Sequence, residues 1–151
     1  MRSIGIRVSR KELFVRWAQA NAFMGMMQMS VAPWRVLSEK NAMRVIDALK
    51  LHASMGETFY ALAQNASKTG EPITRHMAYV FPGQGFEHVD SQFMLGDRLL
   101  VAPVLEKGAT EKSIHLPNGH WRNRNGEVFQ GGRTITLPIT LDDIPHFERL
   151  E

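Results

Sequence analysis

Fifteen of the 151 residues are Asp or Glu, and a pair of carboxyl groups is one arrangement that can carry general acid–base chemistry. Glu39, Asp47 and Glu57 fall on or at a stretch with helical spacing, where a solvated face is expected. Asp97 and Glu127 fall at turns, as does Asn125, and Asp142-Asp143 adjoins Ile144-Pro145 in what reads as a loop. None of these acids is paired with another at the end of a buried apolar run, so no catalytic residue is assigned. The six histidines, at positions 52, 76, 88, 115, 120 and 146, share no ligand spacing, and there is no Cys. Neither a metal site nor a cofactor site is therefore expected. Gly83-Gln-Gly85 follows Pro82 and precedes no helix, so it does not cradle phosphate. No Ser-centred nucleophile elbow occurs.

A second group of polar and aromatic residues surrounds a nearly continuous apolar run, Ala22–Met29, which reads as a buried strand. Gln28 and Ser30 stand at its end, and Trp34 and Arg35 follow Pro33 in a loop over 30–37. Gln28 reads either as a surface amide or as a pocket group, and Ser30 as a turn hydroxyl or a pocket group. Trp34 has a large flat face that can cover apolar C–H groups, or packs the loop. Arg35 holds a hydroxyl or a carboxylate, or caps the loop.

The elements around these residues change character at about residue 70. Ser9-Arg-Lys-Glu12 reads as a capping box, and Leu13, Phe14, Trp17 and Ala20 recur at helical spacing, which predicts a helix over 10–21 with Trp17 in the core. A long helix is predicted from Ser38 to about Lys68, stopped by Gly70 and Pro72. Beyond Glu71 the runs become short and β-like, at 73–80, 93–95, 99–105, 113–116, 127–129 and 133–137, divided by Gly- and Asn-rich turns. That pattern predicts an antiparallel β-sandwich. Asn125-Gly126 is its clearest turn, since both residue types tolerate positive φ. The centre of the region is Gln92–Thr110. There two apolar runs flank Gly96-Asp-Arg98, and the second, Leu99–Leu105, is apolar on consecutive positions, as suits a strand covered on both faces. Pro103 must end that strand or mark a bulge or edge.

The stretch Asp90-Ser-Gln-Phe-Met-Leu-Gly-Asp-Arg-Leu-Leu-Val-Ala-Pro-Val-Leu105 resembles a signature near the C-terminus of glycoside hydrolase family 31. Glu12-Leu-Phe-Val-Arg-Trp17, Thr69-Gly-Glu-Pro-Ile73 and Leu116-Pro-Asn-Gly-His-Trp121 resemble further family motifs in the same order, over about residues 10–147. The resemblance implies that residues 1–70 are the C-terminal end of a (β/α)8 catalytic barrel, its last helix–strand–helix, and residues 71–151 the antiparallel β-sandwich after it. The fold class is then α/β plus all-β. A whole barrel takes roughly 250 residues, so an N-terminal barrel portion is implied as a partner.

The family implies a retaining α-glycosidase that uses two Asp side chains, and a Trp-x-Asp-Met-Asn-Glu-like nucleophile string does not occur here. The chain is accordingly expected to be inactive by itself. Its Gln28-Met-Ser30 stands where the α-glucosidase pattern is Arg-Asn-His, which is closer to the branch of the myogenesis-regulating glycosidase and makes an α-galactoside plausible beside an α-glucoside. The resemblance implies substrate-binding roles for Gln28, Ser30, Trp34 and Arg35. A different reading, from Trp121 and Phe129, is a sandwich that acts as a carbohydrate-binding or structural accessory module.

Charge and hydropathy narrow the partners. Net charge is +3, with ten Lys/Arg against four Asp/Glu in residues 1–70 and eight against eleven in 71–151. The basic residues are scattered without aromatic interleaving, so no nucleic-acid partner is expected. No apolar run approaches the roughly 20 residues that span a bilayer, so no membrane partner is expected either. The absence of Cys leans towards a reducing compartment.

Overall fold

The computed structural model describes residues 4–150, with side chains from residue 11 onward. Five helices and eight strands follow in order: α1 (Ile4–Asn21), α2 (Pro33–Val36), α3 (Glu39–Ser54), α4 (Gly56–Thr69), β1 (Thr74–Arg75), α5 (Met77–Val80), β2 (Phe93–Leu95), β3 (Leu99–Val101), β4 (Glu111–Leu116), β5 (His120–Asn123), β6 (Val128–Gln130), β7 (Arg133–Pro138) and β8 (His146–Leu150). Six strands form one antiparallel sheet in the order β1-β2-β3-β8-β5-β6, and β4 and β7 form a second. The inner faces of the two sheets enclose a core that includes Met94, Leu100, Ile114, Leu116, Trp121 and Phe147. This is the antiparallel sandwich that the turn-punctuated runs predict.

The hairpin at the centre forms in the expected register, Phe93 opposite Val101 and Leu95 opposite Leu99. Its turn uses Gly96 at φ 61°, a left-handed conformation that side chains other than glycine rarely adopt. There the turn lies against Leu62 of α4. Consecutive apolar positions in β3 are explained by its two covered faces. Leu100 points into the sandwich core, whereas Val101 belongs to a second core formed with Val15, Ala18 and Ala22 of α1 and its following turn, Phe23, and Val45 and Ala48 of α3. The ladder stops at Val101, and Ala102, Pro103 and Val104 remain buried as irregular chain. Pro103 has no N–H to give a further ladder.

Gln92, just before β2, ties the sheets together. It is buried, donates from Nε2 to the His115 carbonyl at 2.7 Å and accepts at Oε1 from the His115 N–H at 2.9 Å. A side-chain amide thus satisfies a backbone donor and acceptor on β4 as a neighbouring strand would. The Leu116–Trp121 motif is architectural too. Trp121 is fully buried and donates from Nε1 to the Pro117 carbonyl at 2.8 Å. The Gly131 and Gly132 amides donate to the Gly119 and Leu116 carbonyls at 2.7 and 2.9 Å. A Cβ on Gly131 would lie 1.7 Å from the Pro117 oxygen, so only glycine fits.

Several expectations are corrected. The first helix runs from Ile4, so Ser9 lies inside it rather than at its N-cap, and Glu12 instead accepts the Gly108 N–H at 2.8 Å. Trp17 is 43% exposed, not core. The buried face of α1 is Val15, Arg16, Ala18 and Gln19, rotated away from the apolar stripe through Leu13 and Trp17. The run Ala22–Met29 is not a strand. It begins with a turn, in which the Met24 N–H donates to the Asn21 carbonyl at 3.0 Å, and continues as irregular chain with Met26 78% exposed. A strand exists through ladder partners, and none of the described strands pairs with it.

The long helix is two helices, broken at Met55 (φ −93°, ψ 7°) before Gly56. It ends as expected at Gly70, φ 79°, whose N–H donates to the Ala66 carbonyl at 2.9 Å. The loop at Pro33 holds the one-turn helix α2, and the run 73–80 holds only β1 before turning into α5.

Candidate functional site

The segment carrying Gln28, Ser30, Trp34 and Arg35 is anchored at both ends and open between them. At its start, Phe23 is fully buried against the ring of His146, with centroids 5.0 Å apart, and Nδ1 of His52 donates to the Ala22 carbonyl at 3.2 Å. Pro33 is buried and begins α2, where its missing N–H costs nothing. The Arg35 and Leu37 amides close the helical turn onto the Ala32 and Pro33 carbonyls at 3.0 and 2.9 Å. Between and beyond these anchors Gln28, Ser30 and Arg35 are exposed, and Trp34 is 69% exposed. The four residues fall within eight positions of one segment, and among the described residues no hydrogen bond or ion pair joins their side chains to one another or fixes them elsewhere. Met26, Val31 and Val36 of the same segment are also exposed, as are Leu13 and Trp17 of α1 and Met43 of α3.

The helices that flank this open segment, α1 and α3, are held against the sandwich by a strap, residues 139–145 between β7 and β8, whose sequence reads only as a loop. Arg16 of α1, only 8% exposed, donates from Nη1 to the Asp143 carbonyl at 3.0 Å and from Nη2 to the Thr140 carbonyl at 2.9 Å. Gln19 donates to the Leu141 carbonyl at 2.8 Å. Arg44 of α3 grips Asp142 with a two-point fork at 2.6 and 2.7 Å. Asp143, exposed, accepts from the Thr140 N–H and hydroxyl at 2.6 and 2.8 Å, so its carboxylate is spent on the strap itself.

Electrostatics follow the same contacts. Burial lowers the Arg16 pKa from its ordinary value, opposed by the nearby Glu12 and Asp143. The fork raises the Arg44 pKa and holds the Asp142 carboxyl below its ordinary value. His146, largely enclosed, has its pKa lowered by burial, which favours the neutral ring.

The acids are thus dispersed. Asp47 lies near Lys50 at 3.7 Å, Glu127 accepts from Asn123 at 2.6 Å in a turn, and Asp142 is committed to Arg44. Among the described residues no three His, Cys, Asp or Glu side chains form a metal cage. No described helix is long and apolar enough to cross a membrane. Trp121, on which the accessory-module reading leaned, is fully buried, and Phe129 packs edge-on to Phe147 with centroids 5.7 Å apart, so neither offers a binding face.

A sandwich of these sheets, entered from a helical segment through Thr69–Ile73 and built on a Gln92–Val104 hairpin, is the C-terminal β-domain found in glycosidases. Residues 70–150 match the glycosyl hydrolase family 31 C-terminal domain, and the chain belongs to glycoside hydrolase family 31. Across 140 residues, 91% of its length, it is 39% identical to the mouse myogenesis-regulating glycosidase, of which the match covers 20%. A family 31 α-xylosidase from a soil metagenome, solved with xylose, superposes with a TM-score of 0.83 at 26% identity, over 93% of this chain and 25% of that one. A dextranase of the family from Flavobacterium johnsoniae, solved with glucose, gives 0.81 at 32% identity, over 92% and 18%. The chain therefore spans about a fifth of the length of the relatives it matches.

Proposed function

We propose that this chain is the C-terminal part of a retaining α-glycosidase acting on α-galactosides or α-glucosides, with residues 1–70 the last helix–strand–helix of its (β/α)8 barrel and 71–151 the sandwich that buttresses it. The observation that carries this reading is the direction of the apolar surface on the helical half. Leu13, Trp17, Met26, Val31, Trp34 and Met43 are all at least 39% exposed, although α1 and α3 already bury a second face on β3. Helices with one buried face and one bare apolar face belong between two layers, as barrel helices and strands do. Residues 26–29 are irregular here because the strands on either side of a barrel strand are not among the residues present. An unpaired backbone needs ladder partners once it is buried.

In the complete barrel the C-terminal ends of the strands line the active site. Gln28 and Ser30 then offer an amide and a hydroxyl, both donor and acceptor, to sugar hydroxyls. Trp34 covers an apolar sugar face, and Arg35 fixes a further oxygen. The two carboxyl groups that flank the bond in a retaining enzyme, roughly 5–5.5 Å apart, come from the preceding barrel portion. The chain alone is inactive.

The test has two arms. The purified chain should release no nitrophenol from α-galactoside, α-glucoside or α-xyloside substrates. In a full-length polypeptide that ends in this region, Gln28→Ala or Ser30→Ala should lower kcat/KM at least about tenfold with little change in melting temperature. Turnover by the chain alone, abolished by mutating one of its own acids, would overturn the reading.

A further inference from the structure

His146 and Arg124 lie where three concavities meet, at the junction of α3 and α4 with the sandwich edge. The one beside α3 has a volume of about 650 Å³, within the roughly 300–1,000 Å³ of small-molecule sites, which favour such junctions. Its wall holds three cations, Arg44, Lys50 and Arg124, and two carboxylates, Asp47 and Asp142. Arg44 is committed to Asp142, and Lys50 lies 3.7 Å from Asp47. Arg124, exposed in the β5–β6 turn, makes no ion pair with any described carboxylate, and so leaves one cation in excess.

His146 adds an oriented acceptor. Its Nδ1 lies 2.7 Å from the Ile144 carbonyl, which can only accept, so the proton is on Nδ1 and Nε2 carries a lone pair. No described protein group meets Nε2. Leu51 and Ile144 supply apolar surface in the same concavity.

The geometry points to a ligand site here for a sugar carrying a carboxylate: the carboxylate set against Arg124, a hydroxyl donating to Nε2 of His146, and the ring face on Leu51 and Ile144. A simple anion would leave the apolar wall and the His146 acceptor unused, and a neutral sugar would leave the Arg124 charge unmet. The site is built entirely from residues present in this chain and does not depend on the barrel reading.

The probes are D-glucuronate, glucose and acetate, each titrated into the isotopically labelled chain and followed by NMR at the His146 ring and the Arg124 side chain. Glucuronate should saturate both signals with a Kd on the order of 1 mM, and glucose and acetate should each bind at least about tenfold more weakly. Arg124→Gln, at an exposed turn position, keeps the fold and should weaken glucuronate about tenfold. His146→Phe keeps an aromatic ring against Phe23 and should weaken glucuronate while leaving acetate unchanged. Acetate binding as tightly as glucuronate, Arg124→Gln without effect, or no saturable response would each overturn the proposal.

Discussion

Trp121 and Trp17 sit in two regions that solve the same problem differently. Trp121 has no exposed surface, its indole N–H is satisfied by Pro117, and it lies edge-on to Phe81 with centroids 6.0 Å apart. Trp17 is 43% exposed and touches Phe14 of its own helix, centroids 6.1 Å apart. The sandwich core is closed by two sheets of this chain. The helical half closes only one of its faces, on β3, and leaves the other bare. The difference is between a core that closes on itself and a helical layer, attached to the sandwich through Arg16, Gln19 and Arg44, that covers one apolar face and leaves another exposed.

The largest effects should come from the closed side. Trp121→Ala removes a fully buried aromatic and should cost about 3–5 kcal/mol, read as the denaturation midpoint of the chain. Gly131→Ala forces a Cβ into the Pro117 carbonyl and should be destabilising by about 1–3 kcal/mol. If either variant melts like the parent, the closed core is not what holds the sandwich.

The junction comes next. Arg16→Met leaves the Thr140 and Asp143 carbonyls without donors, and should cost about 1–3 kcal/mol per acceptor left buried. The loss should appear as faster proteolysis of residues 11–54, with the sandwich intact. Asp142→Asn breaks a fork whose carboxylate side is 60% exposed, so solvent screening limits the cost to at most about 1 kcal/mol. Because Arg44 holds the Asp142 carboxyl below its ordinary value, the fork contributes above the unfolded pKa near 4 and is lost as pH falls through the lower folded value. His146 has the same sign at higher pH. Its lowered pKa stabilises the fold above the unfolded value of about 6.5, and that contribution is lost as pH falls through the folded one. The parent should therefore weaken in two acid steps, and Asp142→Asn should lack the lower one.

The smallest effects belong to the bare face. Leu13→Gln and Met26→Gln should change the stability of the isolated chain by no more than about 0.5 kcal/mol, because both side chains are already mostly exposed. A loss as large as that of a core residue would mean that the face is already buried.

How much of this was legible follows the same division. The β2–β3 hairpin, its Gly96 turn and the Gly70 stop could be read because local chemistry decides them. In the β5–β6 turn only half the expected chemistry holds. Gly126 has φ 84°, but Asn125 does not take positive φ, because the Asn123 side chain accepts the Asn125 and Glu127 amides and sets a longer turn. Strands β5 and β8 carry no strand signal in the sequence. His120–Asn123 and His146–Leu150 alternate one buried aromatic with charged residues, and their partners, not their patterns, make them strands. The stripe on α1 is legible but reads as inward-facing, since periodicity reports that a face is apolar and not which layer covers it. The Arg16 strap contacts had no sequence signal, because two of its acceptors are backbone carbonyls more than a hundred positions away.

Residue-resolved hydrogen exchange on the isolated chain tests most directly whether the sandwich is finished and the helical half is not. The amides of Leu100, Trp121 and Phe147 should exchange only through global unfolding. Those of Val15, Ala18 and Val45 should open at a free energy lower by at least about 2 kcal/mol. Equal protection in both halves, or better protection of the helices, would contradict it.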